Sequence, residues 1–278
     1  DAGSDSVALS VILACEMIED EVRLALQAVP SEQPPVVWIE SGLHERPERL
    51  RAALQDLIGQ LDEGARAGTA VTISSVRPGR GAAAERREQV QVEPVEEVRL
   101  ALGFCGNALQ GLKTRHLRLV FPRVDDCVSL LLNCGCAREE IPREPRHYYL
   151  TRGWFNHESS LMEYFEDWEE RFGAERAAQL RKKMFTGYER VNLIDTKAYE
   201  LDDCLEDSQG FASDLELEHG IVPGSVQLLE RLFKGERDSE IVVVPPGEEI
   251  GFGHLVGESD ASTDAHAVAN ETAGDGGA

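Results

Sequence analysis

The stretch Val7-Ala8-Leu9-Ser10-Val11-Ile12-Leu13-Ala14-Cys15 decides the class of fold. A nearly continuous apolar run of this length is typical of a β-strand that is buried on both faces. A helical pattern follows from about Ile18 to Val29, with its apolar residues on one stripe, and Pro30 ends it. A buried strand followed by an amphipathic helix predicts the first unit of a parallel sheet.

The same alternation continues through residue 132. The predicted elements are a strand at 36–39, a helix from residue 47 to 61, a strand at 95–104, a short helix at 107–113, a strand at 117–121 and a helix at 124–132. This order predicts an α/β fold, with a parallel, Rossmann-like or flavodoxin-like sheet and helices on both faces. Residues 64–93 are rich in Gly, Ala and Arg and interrupt the rhythm, so we interpret them as an insertion that forms a mobile loop or a small hairpin.

The second half repeats the alternation less regularly. It is predicted to contain an extended segment at 148–150, one long helix at 161–184, a strand at 191–194, helices at 199–211 and 225–233, and a strand at 241–244. These elements predict a further α/β layer. We expect a single domain over residues 7–250, with two halves at 7–140 and 145–250 as the alternative. Residues 257–278 contain no aromatic residue and predict a disordered acidic tail.

Charge and hydropathy exclude several functional classes. The 278 residues include 51 acidic and 28 basic side chains, which give a net charge of −23. Such a charge opposes binding to nucleic acid through phosphate contacts and disfavours an anionic membrane surface. No apolar run reaches the roughly 20 residues that a membrane-spanning helix needs, and no signal peptide is recognisable. We therefore expect a cytoplasmic protein whose six cysteines are reduced.

Four candidate metal ligands follow four successive predicted strands. Cys15 follows the first strand, His44 the second, Cys105 the third and Cys127 the fourth. Because residues after parallel strands gather at one edge of the sheet, these side chains are predicted to converge there. Thiolate and imidazole ligands suit Zn²⁺, and an iron–sulfur cluster is the alternative.

The thiols also have a purely structural interpretation. Cysteine is one of the most often buried residues, so each of these side chains can serve as core packing. The reactive interpretation places Cys15 and Cys105 near helix N-termini, where the helix dipole lowers a thiol pKa. Cys134 and Cys136 are expected to have no functional role, with a supplementary metal clip as the alternative, and Cys204 is given no role.

Residues near the same edge are candidates for substrate binding. Arg123 and Asp126 are both such candidates: Arg123 would hold an anionic substrate by a bidentate contact, and the alternative, which the sequence favours, is an ion pair with Asp126 that steadies the loop. Asn107 lies two residues after Cys105. The aromatic residues Tyr149 and Trp154, together with Tyr148, would line a pocket if the chain folds back over this edge, and would otherwise belong to the core.

These segments resemble the family called domain of unknown function 1638. The matching pieces are Leu13-Ala14-Cys15-Glu16, Gly42-Leu43-His44-x-x-Pro47, Gly103-Phe104-Cys105-Gly106-Asn107, Gly111-Leu112, Pro122-Arg123-x-x-Asp126-Cys127, Tyr148-Tyr149-Leu150, Gly153-Trp154, Ile194-Asp195-Thr196 and Val244-Pro245-Pro246-Gly247. The resemblance implies a prokaryotic α/β domain whose genes often lie near those of corrinoid-dependent methyltransferases. The chain departs from the family pattern at Asp125, where members typically carry His, and in the insertion at 64–93.

Together these observations predict a metal-binding protein, either an enzyme or an accessory factor of one-carbon or methyl-group metabolism. Its partner would be a small-molecule substrate, a corrinoid protein or a methyltransferase. The alternative is a non-catalytic module that binds a small ligand or a protein and whose cysteines are structural.

Overall fold

The computed structural model describes residues 9–29, 33–79, 84–133, 141–156 and 161–256. Within these residues the strands are β1 (Ser10–Cys15), β2 (Val36–Ile39), β3 (Val71–Val76), β4 (Arg87–Val92), β5 (Glu97–Ala101), β6 (Arg118–Pro122), β7 (His147–Leu150), β8 (Arg190–Asp195), β9 (Glu218–Pro223) and β10 (Ile241–Val244). The α-helices are α1 (Glu19–Gln27), α2 (Pro47–Ala67), α3 (Cys127–Leu132), α4 (Gly153–Asn156), α5 (Leu161–Phe172), α6 (Ala174–Met184), α7 (Leu205–Asp214), α8 (Gln227–Lys234) and α9 (Phe252–Val256).

The larger sheet has the strand order β2-β1-β5-β6-β10. Its first four strands are parallel, and β10 pairs with β6 in the antiparallel direction. From β1 the chain passes to β2 on one side and later to β5 on the other. The neighbours β1 and β5 therefore form a topological switch point, where open α/β sheets commonly bind ligands.

Each face of this sheet is covered by its own hydrophobic cluster, because successive side chains in a strand point to opposite faces. Ile12 and Ala14 of β1 pack with α1, α3 and α8, and this cluster continues into β7 and β8 of the second half. Val11 and Leu13 pack against α2 on the opposite face. The α/β composition and the mostly parallel sheet predicted from the sequence are thus confirmed, with helices on both faces.

The segment at 64–93 contains a β-hairpin. α2 continues to Ala67, so the interruption begins later than residue 64, and β3 then pairs with β4 in the antiparallel direction. The buried Ser75 hydroxyl accepts a hydrogen bond of 2.8 Å from the backbone N–H of Trp38 in β2. The hairpin therefore lies beside the edge strand β2 of the larger sheet.

The second half contains a smaller, fully parallel sheet with the order β7-β8-β9. The strand β9 was not predicted. The strand predicted at 241–244 does form, as β10, but it joins the larger sheet, so its assignment to the second layer was wrong. Among the described helices, none is long and apolar enough to cross a membrane.

Two predicted helices differ from the structure because of backbone with positive φ. The helix predicted at 107–113 is absent: residues 107–111 form turns, since Asn107 and Gly111 have φ values of 67° and 90°, which a right-handed helix does not tolerate, and Lys113 forms a β-bridge with Glu249. The long helix predicted at 161–184 is interrupted at Gly173, where φ is 77°, and becomes α5 and α6. The predicted tail at 257–278 lies outside the described residues.

Candidate functional site

The loops that follow β5 and β6 lie against each other, which brings Cys105 close to Cys127. A Cβ atom on Gly103 would lie 2.4 Å from the Cα atom of Asp126, so only glycine permits this contact. Backbone N–H groups of the first loop donate to carbonyl groups of the second: Phe104 to Val124 at 3.0 Å, and Cys105 to Asp125 at 2.8 Å.

Cys15 reaches the same place from the neighbouring strand. It is the last residue of β1 and precedes a 3₁₀ helix at Glu16–Ile18. A Cβ atom on Gly153 would lie 1.9 Å from the carbonyl oxygen of Met17, so the start of α4 packs directly on this turn. The close contact brings the second half of the chain to the switch point between β1 and β5.

His44 belongs to the 3₁₀ helix Ser41–Glu45 that follows β2. Its Nδ1 atom is hydrogen-bonded to the carbonyl oxygen of Ser41, which can only accept, so Nδ1 carries the proton. The unprotonated lone pair of the neutral imidazole is therefore on Nε2. Metal-binding histidines commonly have this arrangement, because a backbone carbonyl fixes the tautomer and the ring orientation.

One cavity of ≈ 450 Å³ brings the four predicted ligands together. Cys15, His44, Cys105 and Cys127 all line it, and the three cysteines are each partly exposed. Its other lining residues are Met17, Leu102, Gly106, Asp125, Asp126, Val128, Arg143, His147, Tyr148, Tyr149, Trp154 and Tyr188. The cavity thus has a thiol side at the edge of the larger sheet and an aromatic side contributed by the second half.

The aromatic side presents hydrogen-bonding groups as well as rings. Tyr148 carries a hydroxyl and Trp154 an indole N–H, and the rings of Tyr148 and Tyr188 meet edge to face with centroids 5.6 Å apart. His147 Nδ1 lies 3.1 Å from the Nδ2 amide group of Asn192, which donates to it, so the His147 proton is on Nε2. Tyrosine and tryptophan combine an apolar surface with a polar group, which suits them to holding an organic ligand.

Asp126 organises the charged rim of the cavity. Its carboxylate caps α3 by accepting a 2.8 Å hydrogen bond from the Ser129 N–H, and it forms a 2.7 Å ion pair with Arg143. The partner of Asp126 is therefore Arg143, whereas the alternative interpretation of the sequence named Arg123. Arg123 is absent from the cavity lining, and its buried Nε atom has no hydrogen-bond partner among the described residues.

The remaining sequence candidates lie in different places. Asn107 is exposed and does not line the cavity, and its carbonyl accepts a 2.9 Å hydrogen bond from Arg51. Tyr149 and Trp154 do line the cavity, while both remain buried. Cys204 is buried elsewhere in the chain, and Cys134 and Cys136 fall outside the described residues.

The expectation that helix dipoles activate the thiols was wrong. Burial raises the pKa of Cys15 from 9.0 to about 12 and that of Cys105 to about 12, and it raises the pKa of Cys127 well above 9.0. Asp126 and the neighbouring cysteines raise the values for Cys105 and Cys127 further, because negative charges so close together repel. At neutral pH the cavity therefore holds thiols, and a cation is needed to stabilise thiolates there.

The side chains are not already set at metal-binding separations. Across the described parts of the chain, no group of three or more His, Cys, Asp and Glu side chains is arranged to hold a metal ion. The four predicted ligands line the same cavity without forming a closed ligand set.

Comparison with known proteins identifies the family and nothing more specific. The family described as "Protein of unknown function (DUF1638)" matches residues 38–233 of the 278-residue chain. The chain belongs to this family. A comparison of the chain with the curated proteins and with the solved structures finds no match.

Sequence reasoning about this DUF1638 protein missed several residues of the cavity, namely Met17, Arg143, His147 and Tyr188. Arg143 lies in the segment that leads into β7, His147 is the first residue of β7, and Tyr188 precedes β8. These three residues lie in or just before strands of the smaller sheet, so the strand pattern of the first half does not connect them with the thiols. The Gly153-Trp154 pair was the available signal, because Gly153 makes the contact that joins the two halves.

Proposed function

We propose that this DUF1638 protein binds a metal ion, with zinc as the first candidate, through Cys15, Cys105 and Cys127. His44 supplies the fourth ligand through Nε2 or acts as an acid or base beside an open position. The observation that carries the proposal is the convergence of three thiols and this imidazole, from four strand ends, on one cavity. Tetrahedral zinc prefers thiolate and imidazole ligands.

The electrostatics of the cavity favour a cation. Burial raises the pKa values of Cys105 and Cys127, repulsion from Asp126 and the neighbouring thiols raises them further, and a divalent ion would reverse that balance. Rotation about χ1 changes the position of a cysteine sulfur, so closing the ligand set around an ion requires such side-chain movement. Metal binding would then release protons from the thiols.

The topology supports a ligand site of this kind. Counted within the larger sheet alone, the strand order is 2-1-3-4-5, and we infer a flavodoxin-like arrangement in which the last strand is reversed. In such sheets ligands bind at the switch point between the first and third strands, which here are β1 and β5. Cys15 ends β1, and Cys105 follows β5.

We infer that the reaction, or the assisted reaction, belongs to one-carbon or methyl-group metabolism. This part rests on the family resemblance, which associates such proteins with corrinoid-dependent methyltransferases. If His44 acts as an acid or base and the fourth position stays open, zinc held by Cys15, Cys105 and Cys127 would supply Lewis-acid activation of a thiol or a methyl acceptor. The aromatic side of the cavity would hold that substrate, with the Tyr148 hydroxyl and His147 Nε2 available as hydrogen-bond donors. A corrinoid protein or a methyltransferase would be the protein partner.

Elemental analysis of protein purified anaerobically tests the metal proposal. We expect about one zinc, or a few iron atoms if a cluster is present, per chain. The metal should be lost in Cys15→Ser, Cys105→Ser and Cys127→Ser variants that remain folded. Cys204→Ser is the matched control, because Cys204 is buried outside the cavity. Absence of metal from the wild type would contradict the proposal.

The aromatic side of the cavity also favours a second function, a module that holds an organic ligand without metal. Tyr148, Trp154 and Tyr188 surround a volume of the size that small-molecule sites occupy. Under this alternative, metal-free wild type and the Cys105→Ser variant would bind the same ligand with equal affinity. A ligand whose affinity depends on metal would favour the first proposal.

A further inference from the structure

We propose that the β3–β4 hairpin positions the ligands of the thiol cavity through Arg86, which holds Glu16 and, through it, Ser41 and His44. The inference rests on the proposed function, because it concerns the same cavity. It assigns a positioning role to residues that do not line the cavity themselves.

Glu16 is the centre of this arrangement. It stands between Cys15 and Met17, which both line the cavity, and its own side chain is completely buried. A buried carboxylate requires compensating partners. Arg86 supplies two hydrogen bonds, from Nη1 to Oε2 at 2.7 Å and from Nη2 to Oε1 at 3.4 Å. The Ser41 backbone N–H donates to Oε1 at 3.1 Å.

Ser41 transmits the contact to His44. Its N–H group is held by Glu16, and its carbonyl oxygen accepts the hydrogen bond from His44 Nδ1. Both backbone groups of one buried residue are therefore used, one to hold the turn and one to hold the imidazole. Movement of Glu16 would change the orientation of Nε2, the atom proposed to act in the cavity.

The hairpin supplies the fixed end of this chain of contacts. Arg86 is 4% exposed, and its Nη1 atom also donates to the carbonyl oxygen of Arg77 across the hairpin at 2.6 Å. The hydrogen bond between Trp38 and Ser75 fixes the hairpin to β2. The hairpin therefore contacts β2 directly at Trp38, just before the turn that carries His44. It also holds Ser41 of that turn through Glu16.

The test uses Co²⁺, which reports its ligands by visible absorption, on metal-free wild type and variants whose folding is verified by circular dichroism. Arg86→Met should weaken Co²⁺ binding about tenfold, because it releases Glu16, which holds Ser41, the direct hydrogen-bond partner of His44. Its spectrum should change in the same direction as that of His44→Ala. Arg87→Met is the matched control, since the neighbouring Arg87 is 48% exposed and lies 3.9 Å from its nearest acidic partner, Glu40.

A double-mutant cycle separates positioning from general stability. In a His44→Ala background, Arg86→Met should cause little further loss of Co²⁺ affinity, because the residue that it positions is already absent. An equal loss in both backgrounds would overturn the proposal. If wild type binds no Co²⁺, the proposed function fails and this inference with it. If wild type binds and folded Arg86→Met matches it, only the positioning role fails.

A second variant keeps the test decisive if Arg86→Met does not fold. The Glu16→Gln, Arg86→Met double variant leaves no uncompensated buried charge and keeps an amide oxygen for the Ser41 N–H. We expect it to fold and still bind Co²⁺ about tenfold more weakly than wild type, since the hairpin no longer holds residue 16. Wild-type affinity in this variant would overturn the proposal.

Discussion

The raised pKa values of the cavity thiols predict a specific reactivity in the metal-free protein. For Cys15 and Cys105 the pKa rises from 9.0 to about 12. At pH 8 this lowers the thiolate fraction about a thousandfold. The greater basicity of such a thiolate raises its nucleophilicity toward disulfides about twentyfold, since the Brønsted coefficient is about 0.45. The exchange rate with a small disulfide should therefore be about fiftyfold below that of the unfolded chain.

The assay measures exchange at each cysteine with hydroxyethyl disulfide, acid quenching and peptide mass spectrometry. Between pH 9 and 10 the folded rates should still rise about tenfold, whereas those of the unfolded chain approach a plateau. Zinc should protect Cys15, Cys105 and Cys127 together and leave the rate of Cys204 unchanged. Folded rates at pH 8 that equal or exceed the unfolded rates would refute the reasoning, because they would mean that thiolates are stable in the empty cavity.

Three further predictions concern zinc affinity and stability. Because thiols must ionise to bind zinc, we expect the apparent affinity to rise from pH 6 to 9, by up to about tenfold per pH unit for each thiol, in competition with a chelator of known affinity. Gly153→Ala should strongly destabilise the fold, because the added Cβ would lie 1.9 Å from the Met17 carbonyl oxygen. In the control Gly59→Ala, in α2, the added Cβ meets no atom within 4 Å, and the free energy of unfolding in urea should rise by about 0.5–1 kcal/mol. Burial raises the pKa of Glu21 from 4.5 to about 7, despite a hydrogen bond from Thr196. The folded state therefore binds a proton that the unfolded state has lost, and its stability falls as the pH rises from 4.5 to 7. This group lowers the free energy of unfolding by roughly 3 kcal/mol between about pH 4 and about pH 8, and Glu21→Gln should abolish that decrease.

The parts of the fold that local pattern specifies were predicted well. The strand at 36–39 and the start of a helix at Pro47 match the structure, since an apolar run and a proline at the first helical position are local signals. The interruption at Gly173 was not predictable in the same way. An apolar stripe continues across it, and only the backbone conformation shows that the two helices are separate.

Sheet membership required information beyond the local pattern. The strand at 241–244 was predicted with its observed bounds, yet its partner is β6, more than a hundred residues earlier in the chain. The strand β9 contains Gly220 and ends at Pro223, which weaken its strand signal. The local sequence of β9 therefore does not predict its pairing with β8, which depends on how the whole second half folds.

The thiol side of the cavity followed from topology, because residues after parallel strands share one edge. The aromatic side was predicted only for the case in which the chain folds back over this edge of the sheet. Its placement over the thiols depends on the contact of Gly153 in α4 with the Met17 carbonyl, which joins two segments that are far apart in sequence. The direction of the thiol pKa shifts was mistaken because the cavity buries the thiols, because the helix predicted after Cys105 does not form, and because only a short 3₁₀ helix follows Cys15.

X-ray absorption at the zinc edge tests the central claim most directly. On wild type purified anaerobically, the proposal predicts about three sulfur ligands at about 2.3 Å and about one nitrogen at about 2.0–2.1 Å. The Cys105→Ser variant should lose one sulfur ligand or the metal, and His44→Ala should lose the nitrogen. A protein that contains no metal, or a zinc ion surrounded only by nitrogen and oxygen, would contradict the account.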